Sequence, residues 1–240
     1  MANNYFQFKQ FVIHQDRCAM KVSTDACLFG AWVASDMQNM ERASTKILDI
    51  GTGTGLISLM TAQKNVGNFD AVEIDIETAA QAKENAAASP WKDNIRIFTG
   101  DIKSFYPSEC YDVIISNPPF YENELSSTGV KKNIAHHSAE LTINEVLDSI
   151  KNLLKKDGRF YLLLPFKRWN EIEKLLEVHH LYIQQKITVK PSHRHPPFRV
   201  MVRGGFKKQL LQDLELSIKD DDDNYTMQFT QLLKDYYLYL

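Results

Sequence analysis

The sequence predicts an α/β fold built on a doubly wound, seven-stranded mixed sheet whose last two strands form an antiparallel hairpin. Three observations predict it. From Lys46 onward, short runs rich in β-branched and aromatic residues alternate with helical stretches, the pattern of βαβ units with parallel pairing. A glycine-rich turn, "GTGTG" (51–55), joins the first run to the first of these helices, where a backbone freed of Cβ atoms can approach a ligand at a helix N-terminus. The runs 182–190 and 198–206 are separated by only seven residues, whereas a parallel crossover takes roughly a dozen or more.

The elements follow in order. "TDACLFGAWVAS" (24–35) is helical and "KILDI" (46–50) is a buried strand. "GLISLMTAQKN" (55–65) is a helix, "FDAVEID" (69–75) a strand, and "ETAAQAKENAAAS" (77–89) an Ala-rich helix that stops before Pro90. "NIRIFTGD" (94–101) and "YDVIISN" (111–117) are the third and fourth strands. "TINEVLDSIKNLLKK" (142–156) is an amphipathic helix with Asp157-Gly158 as its stop signal. "RFYLLLP" (159–165) is the fifth strand, "KRWNEIEKLLEVHH" (167–180) the next helix, and the hairpin runs complete the seven. The stretch 224–240 reads as a C-terminal helix, and the acidic run 220–223 as a solvated turn. With no repeat or low-complexity linker, the expectation is one domain, 1–240, comprising an extension over 1–45, a core over 46–206 and a C-terminal extension over 207–240.

Composition narrows the functional classes. Apolar residues make up 44% and charged residues 24% of 240, ordinary values for a chain that buries a sizeable core. The formal net charge is −2, so a nucleic-acid partner must be held by a local basic patch. Cys18, Cys27 and Cys110 are odd in number and lack CxxC spacing, which argues for reduced thiols, no disulfide framework and no zinc site. The N-terminal stretch lacks a signal-peptide core, and no apolar run is long enough to span a bilayer. A soluble, cytoplasmic protein with no membrane or metal partner, and no evident obligate protein partner, is expected.

In "LDIGTGTG" (48–55), Gly51, Gly53 and Gly55 have GxGxG spacing. The dinucleotide fingerprint GxGxxG would put its last glycine at 56, where Leu56 stands, and no Walker lysine follows. The loop therefore favours a ligand without a pyrophosphate. Glu73 ends the second strand eighteen residues after Gly55, where a carboxylate accepts hydrogen bonds from ribose hydroxyls. Asp49, just before the glycines, could accept from an amino group or a loop amide. Asp101, with Ile102 beside it, ends the third strand and could meet an adenine amino group. In such sheets ligands bind at the carboxyl ends of the strands.

"IISNPPF" (114–120) ends the fourth strand at that same edge. Asn117-Pro118-Pro119-Phe120 resembles the [DNS]PP[YFW] motif of S-adenosylmethionine-dependent amino-methyltransferases, and the strand pattern resembles the Rossmann-like class I methyltransferase architecture. The motif's chemistry follows from its residue types. An adenine exocyclic nitrogen is a poor nucleophile because its lone pair is delocalised. Acceptors on its two hydrogens, the Asn117 side-chain oxygen and the Pro118 carbonyl fixed by the proline ring, would free that lone pair and stabilise the charge that develops. Phe120 would stack on the base. A glutamine amide is also a planar, weak nucleophile, so protein-glutamine N5-methylation is an alternative, as is another nucleic-acid adenine N6-methylation. The glutamine enzymes carry a substantial helical domain before the core, and only about 45 residues precede it here.

"FQFKQFVIHQDRCAMKVSTDACLFGAW" (6–32), with "ILDIGTGTG", "VEID", "IISNPPF" and "NYT", resembles the bacterial tRNA(Val) adenosine-37 N6-methyltransferase family over essentially the whole chain. That resemblance implies direct methyl transfer from S-adenosylmethionine to the exocyclic amine of an anticodon-loop adenosine, a base already unpaired and cheap to flip out. It implies that Lys21, Thr24 and Asp25 line the cofactor pocket with Asp49, Gly51, Glu73 and Asp101. It also implies that Asn117, Pro118 and Phe120 hold the adenine. "FQFKQF" reads as a clamp packed on the core. From Lys190 to Lys208 there are six Lys or Arg residues and no acid. Lys190, Arg194 and Arg199, with Lys9 and Arg17, are the candidate RNA contacts. Lys131, Lys132, His136 and His137 form a polar loop after the motif that could close over the base or contact RNA.

Overall fold

The computed structural model describes residues 3–18, 20–38, 40, 45–119 and 141–240. An antiparallel hairpin, β1 (Tyr5–Gln7) and β2 (Val12–His14), opens the chain. Its residues Phe8, Phe11 and Ile13 are buried in the core, so the aromatic N-terminal stretch does pack as a clamp. Helix α1 (Thr24–Met37) follows.

The main sheet contains β3 (Thr45–Ile50), β4 (Gly67–Glu73), β5 (Ile95–Thr99), β6 (Tyr111–Ser116), β7 (Leu154–Pro165), β8 (Tyr182–Ser192), β9 (Arg199–Gly205) and β10 (Gln212–Lys219). Their spatial order is β10-β8-β9-β7-β6-β3-β4-β5. The pairs from β5 through β7 are parallel, and β9 runs antiparallel between β7 and β8. Helices α2 (Leu56–Ala62), α3 (Ile76–Ala87), α4 (Ile143–Leu153), α5 (Trp169–Val178) and α6 (Met227–Leu233) complete the described residues. Strand residues alternate between two cores: Ile47, Val113, Ile115 and Tyr161 pack with α1, α2 and α6, whereas Leu48, Ile114, Phe160 and Leu162 pack with α4 and α5. This is the period-two alternation of a sheet covered on both faces.

The eighth strand and two helix ends depart from the expected pattern. The sheet has eight strands rather than seven, because residues 212–219 pair in parallel with β8. Lys186–Asp213 (2.7 Å) and Lys190–Glu215 (2.8 Å) bridge that pair. The helix expected over 142–156 ends at Leu153, and Asp157-Gly158 lies inside β7 rather than stopping a helix. Leu154, only 5% exposed, instead pairs with Tyr111, and sheet pairing overrides local helix propensity. The helix expected over 224–240 is confined to Met227–Leu233. Beyond it the chain turns to bury Tyr236, whose hydroxyl donates to the Met60 carbonyl (2.9 Å).

Gly204 shows how tightly the hairpin is packed. A Cβ there would meet the Phe160 ring and lie 2.6 Å from the Tyr182 carbonyl oxygen. Gly204→Ala is expected to cost about 1–3 kcal/mol through overpacking, read as a lowered urea midpoint with an unchanged m-value. An unaltered midpoint would show that β9 can shift to accept the methyl group.

Candidate active site

The site is assembled where β3, β4, β5 and β6 end together. Gly51 (φ 68°) and Gly53 (φ 57°) adopt left-handed backbone conformations, which glycine enters without a steric penalty. A Cβ at either would meet nothing within 4 Å, so the turn presents open space. The Gly51 and Thr52 amides donate to the Val72 carbonyl (2.9 and 3.2 Å), tying the turn to β4. Gly55 is the N-cap of α2.

Glu73 organises the next turn. Its Oε2 accepts from the Gly53 amide (3.0 Å) and its Oε1 from the Asp75 amide (3.0 Å). Asp75 then caps α3, accepting from the Thr78 amide (2.8 Å). Asp101 caps a 3-10 turn over Ile102–Ser104 and accepts from the Lys103 amide (2.9 Å). Lys103 Nζ bridges to Glu145 at the start of α4 (2.8 Å). These groups surround a cleft of about 570 Å³ whose walls include Gly51, Gly53, Glu73, Asp101, Ile102 and Pro119. Asn117 and Pro118 directly precede Pro119, and the Ser116 hydroxyl donates to the Ile50 carbonyl (2.8 Å). The motif therefore leaves β6 beside the glycine turn. Phe120, Lys131, Lys132, His136 and His137 lie outside the described residues.

Asp49 lies behind the turn, 1% exposed. Its Oδ2 accepts from the Thr52 and Ser58 hydroxyls (2.7 and 2.8 Å), while its Oδ1 has no hydrogen-bond partner among the described residues. Burial pushes its pKa up to about 6, against the lowering effect of those two hydroxyls.

The remaining sequence candidates are distributed more widely. Thr24 opens α1; Asp25 is in its first turn, paired with Arg199 Nε (2.7 Å); exposed Lys21 has Nζ 3.4 Å from the Asn3 carbonyl oxygen. None of these three lines the cleft. The N-terminal residues that do are Arg17, Cys18 and Met20. No sequence signal marks Cys18 or Met20, because their approach to the cleft comes from docking of the hairpin. Asp75 and Glu77 also line it, and the first could have been found as the N-cap of "IETAA". The basic candidates have partners. Arg17 pairs with Glu84, Lys190 with Glu215 and Arg194 with Asp221, while Lys9 donates to the Lys234 carbonyl. The acidic run supplies Asp221 and also Asp223, which pairs with Lys219 (2.7 Å). Among the described residues no cluster of three or more His, Cys, Asp or Glu side chains could hold a metal, and no helix is long and apolar enough to cross a membrane.

The Asp49 environment gives a pH signature. Its folded-state pKa is raised, so between the usual carboxylate value and about 6 the folded chain retains a proton that the unfolded chain has released. Its contribution to stability is therefore lost as pH rises through that window. Asp49→Asn is expected to flatten this part of the Tm–pH profile of the ligand-free protein. An identical slope in the variant would place the titration elsewhere.

The Methyltransferase small domain family model matches residues 32–177. A relative from Bacteroides thetaiotaomicron is 37% identical over 100% of both chains, and one from Trichodesmium erythraeum is 40% identical over 99% of both. Both are named tRNA1(Val) (adenine(37)-N6)-methyltransferase. In fold, the chain is similar to an Agrobacterium tumefaciens crystal structure described as a predicted O-methyltransferase (TM-score 0.64, 17% identity, 88% of this chain and 96% of that one). A family model matched over residues 32–177 and full-length identity of this extent make one conclusion plain: the chain belongs to the Methyltransferase small domain family and, within it, groups with the relatives named tRNA1(Val) (adenine(37)-N6)-methyltransferase.

Proposed function

We propose that this protein transfers a methyl group from S-adenosylmethionine to N6 of adenosine 37 in the anticodon loop of tRNA1(Val), in the cytoplasm where that substrate resides. The observation that carries the reading is the position of Asn117-Pro118-Pro119, which leaves β6 next to the glycine turn, with Pro119 in the wall of the same cleft as Glu73 and Asp101. Full-length relatives carrying that activity in their name support the choice of substrate.

The cleft residues fit the cofactor. The open left-handed turn at Gly51 and Gly53 leaves space for a ligand against the backbone. The carboxylates of Glu73 and Asp101 suit ribose hydroxyls and an adenine amino group, with Ile102 against the base. Buried Asp49 has an unmatched Oδ1 and, with its hydroxyl partners, braces the turn from behind. Lys21, Thr24 and Asp25, expected to line the pocket from the N-terminal side, are not among the residues that line the cleft. When bound, the cofactor supplies a methyl group on a sulfonium, already activated for displacement.

The protein's task is then to position and polarise the target nitrogen. Asn117 Oδ1 and the Pro118 carbonyl accept its two hydrogens, drawing the lone pair out of conjugation and stabilising the positive charge that grows there. Phe120 provides a stacking face, a contact of about 1–3 kcal/mol. Lys9, Arg17, Lys190, Arg194 and Arg199 are the basic groups available to the tRNA backbone. RNA phosphates would have to exchange with their present acidic or carbonyl partners.

The test supplies labelled S-adenosylmethionine with total tRNA from a strain lacking the enzyme, or with a glutamine-containing release factor. Label is expected in tRNA; label in the release factor alone would overturn the reading. Asn117→Ala is expected to lower methylation by about 10²-fold or more while leaving cofactor binding intact. If titration calorimetry showed cofactor binding lost with it, Asn117 would be a turn residue and not an acceptor in the reaction.

A further inference from the structure

Two polar side chains on α3 are buried with no part in the chemistry above. Gln81 and Asn85 are each 1% exposed and, four residues apart, share one face of the helix. Neither points into the cleft, and each uses every polar atom it has. Asn85 Oδ1 accepts from the His14 amide (2.9 Å), and its Nδ2 donates to the His14 carbonyl (3.0 Å) and the Thr54 carbonyl (2.9 Å). One amide group therefore pairs with His14 as a neighbouring strand would, and ties that residue to the glycine turn. Gln81 Oε1 accepts from the Arg17 amide (3.0 Å) and the Cys18 thiol (3.1 Å), and its Nε2 donates to Asp16 Oδ1 (2.6 Å).

Residues 14–18 form a strap that begins at the last residue of β2, and Arg17 and Cys18 of this strap line the cleft together with Glu73 and Asp75. The hairpin before the strap is anchored separately, by burial of Phe8, Phe11 and Ile13. The apolar anchors fix where the hairpin docks. The exact path of the strap along the cleft depends on two amides of α3.

On the reading that this cleft binds S-adenosylmethionine, we infer that Gln81 and Asn85 are positioning residues, which set the N-terminal wall of the cofactor site by holding residues 14–18 against α3 and the glycine turn. They act on cofactor affinity and leave the transfer step alone, because their contacts are with the wall and not with Asn117 or Pro118.

The contact between Gln81 and Asp16 allows a test that reverses the hydrogen bond. Gln81→Glu keeps the acceptor for the Arg17 amide but opposes a carboxylate to Asp16. Adding Asp16→Asn gives the pair a donor again, with the polarity exchanged. In the full-length protein, Gln81→Glu is expected to raise the KM and the calorimetric Kd for S-adenosylmethionine roughly tenfold. The kcat on tRNA should stay within about a factor of two, and the Gln81→Glu/Asp16→Asn pair should recover most of the affinity. Asn85→Asp, which loses both donor bonds while keeping the acceptor, should follow the same KM-against-kcat split if Gln81→Glu does not fold. Wild-type affinity in a folded single variant, or a fall in kcat at constant KM, overturns the inference. A wild-type protein that binds no S-adenosylmethionine overturns instead the reading on which it rests.

Discussion

The parallel, in-register pairing of β3 with β4 and β6 is the constraint on which the site depends. Ile50 is opposite Val72 on one side and Ser116 on the other, so three strands release their chains at one level. The Gly51 amide then reaches the Val72 carbonyl, and the Ser116 hydroxyl reaches the Ile50 carbonyl. A slip of one residue would turn every side chain to the opposite face. Alternation between two separate cores makes such a slip costly: Ile47 and Leu48, or Ile114 and Ile115, cannot exchange environments without rearranging helices on both faces of the sheet. The burial that stabilises the sheet thus also holds Glu73 and the Asn117-Pro118-Pro119 segment at fixed heights around one cleft.

Polar groups at this edge are matched locally, and the exceptions are informative. The glycine turn has its amides shared between the Val72 carbonyl and the Glu73 carboxylate, so the carboxylate proposed to meet a ligand hydroxyl already orders the backbone beside it. Asp49 is the costly member. Placing a carboxylate at 1% exposure with only one oxygen matched penalises its ionised form. The hydroxyls of Thr52 and Ser58 offset part of that penalty. They also bind the start of the turn and the first turn of α2 to the same strand end.

The terminal segments complete the molecule in ways that a simple βα alternation does not require. The N-terminal hairpin packs against α3 and the C-terminal segment; the Lys9 amide donates to the Tyr236 carbonyl (2.8 Å), and Tyr236 is buried against α2. Strand β10 extends the sheet beyond the hairpin and brings Asp213 and Glu215 beside Lys186 and Lys190. Exposed ion pairs of this kind contribute little stability. Their consequence is electrostatic: the basic stretch from Lys190 to Lys208 faces acids from another part of the chain and is not a bare cationic surface.

By itself, the sequence determined the sheet's alternation, the glycine turn, the strand-end acids and the Asn-Pro-Pro exit, because each depends on residues close together in the chain and on backbone geometry that glycine and proline impose directly. Only the tertiary structure decided the eighth strand, the early end of α4 at Leu153, the neutralising partners of the basic residues and the wall made by Arg17, Cys18 and Met20. Those features depend on contacts between distant segments: β10 with β8, Leu154 with Tyr111, Asp16 and Arg17 with Gln81. Periodicity reports which face of an element is buried. It carries no information about which remote polar group will meet it, and in this protein such meetings shape one side of the cleft.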